Sequence, residues 1–139
     1  MADAHPHLTN EIEVKPAFFD VDPMNVVWHG HYVKYFELAR SALMSKFDYD
    51  YFQMRESGFF WPIVDMRIKF VRPAALHQLL KVKATITEFE SRLRVDYRIT
   101  SGTETVTKGH TIQVAVDANT MEMQWVCPKI LWERLGVSP

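Results

Sequence analysis

The spacing of apolar residues changes twice along this chain, and that change limits its fold more than any other feature. Near the N-terminus Ile12, Val14 and Pro16 alternate with Glu11, Glu13 and Lys15, the two-residue period of a half-buried strand. Pro16 has no N–H to give to a ladder, which predicts an edge strand or a bulge. From Tyr32 the period becomes helical. Tyr32, Phe36, Ala39, Leu43 and Phe47 recur every three or four residues, with Lys34, Glu37, Arg40 and Ser41 at polar positions. Val33, Tyr35, Leu38, Ala42 and Met44 widen the apolar surface, so this helix is expected to be covered on most sides. Asp50 and Gln53 then have capping-box spacing and Gly58 suits a left-handed stop, which predicts a second, shorter helix.

Beyond Gly58 the two-residue period returns. Val64, Met66, Ile68 and Phe70 alternate with charged residues; Leu80 to Ile86 and Leu93 to Ile99 alternate likewise with charged or polar ones. Ser101-Gly102 turns into a long strand from Val106 to Val116. Asp117 to Thr120 turns again into a last expected strand, Met121 to Val126. Pro128 and Gly136 bracket a terminal helix over Lys129 to Leu135. One strand, a long helix, a short helix and a meander describe an α+β fold, an antiparallel sheet wrapped around one long central helix. No linker or repeat interrupts it, so 1–139 reads as a single domain, with residues 1–9 expected to be flexible.

Charge and cysteine content narrow the class of function. Sixteen basic against seventeen acidic side chains give no basic surplus, so no nucleic-acid partner is expected. No apolar run approaches the ~18 residues of a membrane helix, so no stable membrane insertion is expected. Cys127 is the one cysteine and cannot close an intramolecular disulfide. With a start lacking the features of a signal peptide, this points to the cytoplasm.

The segment from Phe19 to Tyr32 carries the candidate chemistry. It ends a strand-like run, holds Asp20 and Asp22, and runs straight into the helix, setting an acid beside an electropositive helix start. Read from the residues alone, Asp22 before Pro23 is a turn aspartate as readily as a catalytic one, and Asp20 is its rival. His29 and His31 lack the further ligands of a metal site, so no metal is expected. Glu37 and Arg40 have the spacing of an intrahelical pair. Phe18, Phe19, Trp28, Phe59, Phe60 and Trp61 supply core packing and wall for a pocket, and their bulk favours an aromatic or unsaturated group over a short polar one.

Asp20-x-Asp22, the apolar pair Val26-Val27, Trp28, Tyr32 opening the helix, Glu37, Arg40 and Pro73-Ala74 together resemble the signature of the hot-dog-fold acyl-CoA thioesterases, the 4-hydroxybenzoyl-CoA thioesterase-like family. The resemblance implies a single hot-dog domain that hydrolyses an acyl thioester of coenzyme A or of an acyl-carrier protein, without a cofactor. It implies Asp22 as nucleophile or general base and the backbone amide of His29 as oxyanion donor. Trp28, Tyr32, Phe60 and Trp61 are expected to contact substrate, and Arg92 the nucleotide. It further implies a homodimer or homotetramer joined edge to edge, with Asp22 of one chain facing Phe59 to Trp61 of another. The clean alternation of Val106 to Val116 marks that strand as the expected free edge. Asn25 stands where many relatives have glycine, and His77-Gln78 where an acidic pair is common. A hot-dog dehydratase or hydratase using His29-Gly30-His31 with Glu37, and a non-catalytic acyl-binding module, are the alternatives.

Overall fold

The computed structural model describes residues 5–139. Its elements are β1 (Thr9–Val14), α1 (His31–Lys46), α2 (Tyr51–Glu56), β2 (Phe59–Phe60), β3 (Ile63–Phe70), β4 (Leu80–Glu88), β5 (Leu93–Ser101), β6 (Glu104–Gln113), β7 (Val116–Asp117) and α3 (Lys129–Leu135). β1, β4, β5, β6 and β3 form one five-stranded sheet in that spatial order, every neighbouring pair antiparallel. The alternation seen in the sequence decides its two faces. Leu80, Val82, Ala84 and Ile86 of β4, with Leu93, Val95, Tyr97 and Ile99 of β5, are buried on the inner face. Tyr32, Tyr35, Phe36, Ala39, Leu43 and Met44 of α1 are buried as well. Phe36 stacks on Tyr97 at a centroid distance of 4.3 Å. Gly109 of β6 lies beneath that ring, and a Cβ there would fall 2.2 Å from the Arg67 carbonyl oxygen, so β3 and β6 can approach only with glycine at this point.

Capping chemistry sets the smaller elements. The amide of Asp50 donates to Gln53 Oε1 at 3.1 Å, opening α2, and Gly58 follows it at φ 90°. Gly136 closes α3 at φ 67°.

Four expectations are corrected. The strand Val106 to Val116 is not a free edge: β6 pairs with both β5 and β3, and the chain breaks into β7 to pair with β2. The free edges are β1 and β3. Met121 to Val126 is not a strand but holds to Val116 by a single bridge at Met123. Asp117 Oδ1 takes the amides of Asn119 and Thr120 and Met121 adopts φ 61°, which turns the chain out of register. Helix α1 is covered less fully than expected: the sheet, the Asp20 loop and the Asp50 segment pack on it, but Leu38, at 50% exposed, with Ser41, Ser45 and Lys46 leaves one stripe open. The flexible stretch expected over 1–9 falls partly on residues 1–4, outside the described ones. Within the described part Leu8 is buried, Thr9 begins β1, and His7 Nε2 lies 2.8 Å from the Leu135 carbonyl oxygen, so α3 holds this segment.

Candidate functional site

Asp20 and Asp22 bracket Val21 in a loop that closes on itself. Val21 bridges Val27, the Trp28 amide donates to the Asp20 carbonyl at 3.0 Å, and the Asp22 amide donates to the Val26 carbonyl at 2.9 Å. Val27 donates to the Ala74 carbonyl at 2.8 Å and anchors this loop to the Pro73-Ala74 segment. Asn25 sits at the tip with φ 64°, a conformation that Asn tolerates better than most residues.

The two carboxylates meet opposite surroundings. Asp20 is buried, and both of its oxygens are used: Oδ1 by Lys34, and Oδ2 by the Tyr35 hydroxyl at 2.8 Å and the Ala17 amide at 3.0 Å. Burial pushes its carboxyl up, but Lys34, the Ala17 amide and the Tyr35 hydroxyl together outweigh that and hold it below the usual value. Burial first, and the Asp20 carboxylate second, push the Tyr35 phenol up. Asp20 therefore ties the loop to α1.

Asp22 is only half-buried. Its Oδ1 accepts the Met24 amide at 2.9 Å, so the turn reading holds for one oxygen, while Oδ2 has no hydrogen-bond partner among the described residues. The turn that leads into α1 lies seven positions on. The His31 amide donates to the Trp28 carbonyl at 2.9 Å, which leaves the His29 amide without an acceptor among the described residues. Trp28 folds across Gly30, where a Cβ would lie 2.2 Å from a ring carbon, so a side chain at position 30 would displace the indole. Trp28 is 49% and Phe70 is 51% exposed. The His29 ring lies between them, at 4.9 Å from Trp28 and 6.4 Å from Phe70. Phe70, at the end of β3, is a wall residue that sequence reasoning missed; the inward phase of its strand was the available signal. Tyr32, expected to contact substrate, lies beneath this wall instead: it is buried, and its hydroxyl accepts the Ala74 amide at 3.2 Å. Helix packing draws its ring inward, so it supports the site from below.

Phe60, Trp61 and Arg92 are at the opposite end of the sheet. Register fixes this: Ile63 pairs with Gln113 and Gln113 with Leu93, whereas Phe70 pairs with Thr107. From Ile63 to Phe70 is about 23 Å at the usual strand rise. At this far end lies a cavity of ≈ 440 Å³ whose walls include Met44, Met54, Phe59, Phe60 and Trp61, with Arg40 among its polar residues. Trp61 is held by its indole N–H on the Tyr49 hydroxyl and by the Gln113 amide on its carbonyl. Arg92 makes a two-pronged contact with Glu88 at 3.2 and 3.0 Å. One chain thus carries the acid and the free amide at one end, and the apolar cavity at the other.

Glu37 pairs with Arg40, which also donates to the Tyr97 hydroxyl at 3.3 Å. It is engaged with a cation rather than with His29 or His31, unlike the acid that a dehydratase would pair with histidine. An open carboxylate oxygen can attack a carbonyl carbon, or draw a proton from water, and an unpaired backbone amide can hold the resulting oxyanion.

Comparison with known proteins bears on the family and the fold. A family model described as the thioesterase-like superfamily matches residues 17–130. A Bacillus subtilis (strain 168) protein, YneP, provisionally named an acyl-CoA thioesterase, is 30% identical over 79 residues, 57% of this chain and 56% of that protein. The chain thus spans little more than half the length of that relative. The structure of a DHNA-CoA thioesterase from Staphylococcus aureus superposes with TM-score 0.76 at 25% identity, over 83% of this chain and 78% of that one. A 1,4-dihydroxy-2-naphthoyl-CoA thioesterase from Synechocystis superposes with TM-score 0.81 at 21% identity, over 92% and 96%. The fold is the hot-dog fold that the sequence resemblance implies.

Proposed function

The chain belongs to the thioesterase-like superfamily, and on that premise we propose that it hydrolyses an acyl thioester, an acyl-CoA in the first place, with Asp22 as its carboxylate and the His29 amide as oxyanion donor. The observation that carries this reading is the contrast within one loop, where Asp20 is fully engaged and Asp22 keeps Oδ2 open, seven residues before a backbone amide that has no acceptor among the described residues. As nucleophile, Asp22 Oδ2 adds to the thioester carbonyl, the oxyanion accepts the His29 N–H, and the C–S bond breaks to release the thiolate. Water then cleaves the acyl-aspartyl anhydride. As general base, Asp22 takes a proton from the water that adds directly. Trp28 and Phe70 flank the reacting carbonyl.

The cavity at Phe60 and Trp61 enters the same site through a second copy. Both free edges carry charged residues, Glu11 and Glu13 on β1 and Asp65, Arg67 and Lys69 on β3, but β1 is also blunted by the Pro16 that follows it, whereas β3 also exposes Val64, Met66 and Phe70. Antiparallel pairing of two β3 strands about a two-fold axis sets Ile63 of one copy opposite Phe70 of the other. The Phe60–Trp61 cavity and Arg92 of one copy are thereby carried toward Asp22 of the other, giving a shared site for acyl group and nucleotide.

Incubation with a panel of acyl-CoAs and a thiol reagent tests the chemistry. Thiol release by the wild type and not by Asp22→Asn is the expected result. Hydration of an unsaturated acyl-CoA without thiol release, or tight binding without turnover, would replace it by the dehydratase or the binding-module reading. Light scattering tests the assembly: a mass of 16.3 kDa under active conditions would overturn the shared site.

A further inference from the structure

The outer face of the sheet, opposite α1, carries charge that the proposed hydrolysis does not use. Lys83 pairs with Arg98, Arg98 with Lys108, and Lys108 with Lys69, so four cations stand in one row across β4, β5, β6 and β3. Like charges set directly opposite one another destabilise a sheet. All four side chains are exposed, and among the described residues none of them makes an ion pair. Glu11, opposite Lys83 on β1, is the one carboxylate in register with the row. Asp96, in the neighbouring row, is taken up by Arg94 and Thr87. Arg67 and His110 stand beside Asp96, and these groups with Thr85 line a broad depression of ≈ 620 Å³.

We propose that this row docks an acidic helix of a protein partner. The fit is geometric as well as electrostatic. Strands lie about 4.8 Å apart, so the row is about 14 Å long. A helix lying across the strands presents one carboxylate per turn of about 5.4 Å, in step with one cation per strand over three turns. A single phosphate calls for donors converging on one point, whereas these are strung along a line. A second copy of this chain cannot be the occupant through its helices: α1 carries Lys34, Glu37, Arg40 and Lys46, α2 Arg55 and Glu56, and α3 Lys129, Glu133 and Arg134. None of these is an acidic stripe, and a second copy of the row would meet this one cation on cation.

The test measures anisotropy of a labelled helical peptide of about 20 residues with glutamates at i, i+3/i+4 and i+7 on one face, added to the full chain. Saturable binding is expected, weakening between low and 0.2 M salt as exposed charges are screened. Arg98→Glu combined with Lys108→Glu should weaken it about tenfold or more, and the milder Lys108→Gln a few-fold. Acyl-CoA hydrolysis by both variants should be unchanged, which separates this inference from the proposed activity. The proposal fails if the peptide does not bind, if one with the same glutamates scattered around the helix binds equally well, or if neither variant changes affinity. Equally tight binding of a single-stranded oligonucleotide would instead assign the row to nucleic acid.

Discussion

Asp20 and Asp22 stand two residues apart in one loop and are the same chemical group, yet the fold gives them opposite surroundings. Asp20 is 3% exposed, and Lys34, Tyr35 and Ala17 fill its oxygens. Asp22 spends one oxygen on the Met24 amide and keeps the other open. A carboxylate saturated by fixed donors is a strut, because attack on a carbon would strand every one of those donors. A carboxylate with a spare oxygen can act without dismantling its loop. Which aspartate is which follows from what α1 brings beneath the loop: Lys34 and Tyr35 are adjacent on its first turns and reach Asp20 alone.

The largest expected effect separates the two most sharply. Asp22→Asn should lower kcat by about 10²–10⁴-fold with an unchanged melting temperature, since asparagine keeps the bond to Met24 but is neither charged nor basic. Wild-type turnover in that variant would end the assignment. His29→Pro deletes the proposed oxyanion donor and should cost about 10²–10³-fold, whereas His29→Ala, which keeps the amide, should retain most activity. Circular dichroism must show α1 intact in the Pro variant, and an Ala variant as inactive as Pro would transfer the role to the imidazole.

Asp20→Asn should act on stability instead, losing about 2–3 kcal/mol of unfolding free energy at neutral pH with much smaller loss of turnover. Acid sharpens this test. The Asp20 carboxyl lies below its ordinary 3.8, so its contribution is full above that value and is lost as the pH falls through the lower folded value. Denaturant titrations should therefore show a constant gap between wild type and Asp20→Asn down to about pH 4, closing on further acidification. A gap indifferent to acid would mean that the charge does not matter. Smallest of all, Tyr32→Phe removes the acceptor of the Ala74 amide and should cost about 1 kcal/mol of stability without altering KM. A large change in KM would return Tyr32 to the substrate wall.

Much of this fold was legible because it is written locally. The boundaries of α1 and α3, the cap of α2 and the phases of β4 and β5 each follow from residues within a few positions of one another. The misassigned last strand has a local cause too, but a weaker one: Met121 and Met123 alternate as a strand would, and only the bonds from Asp117 to Asn119 and Thr120 show that the chain has already turned. Register cannot be seen that way. That Val106 to Gln113 lies inside the sheet depends on its pairing with β3 across more than thirty residues, and nothing in the alternation of either strand says so.

The sequence by itself determined the α+β class, the order of elements, the loop that holds both aspartates and the likeness that singles out Asp22. Each rests on short-range periodicity, turn chemistry or a contiguous motif. Tertiary structure alone decided that Asp20 is the strut, because Lys34 and Tyr35 come from another element. It alone decided that β3 is a free edge and that Phe60, Trp61 and Arg92 lie a strand's length from Asp22. Pairing and burial depend on contacts between residues distant in the chain, and those contacts exist only once the sheet has closed on α1.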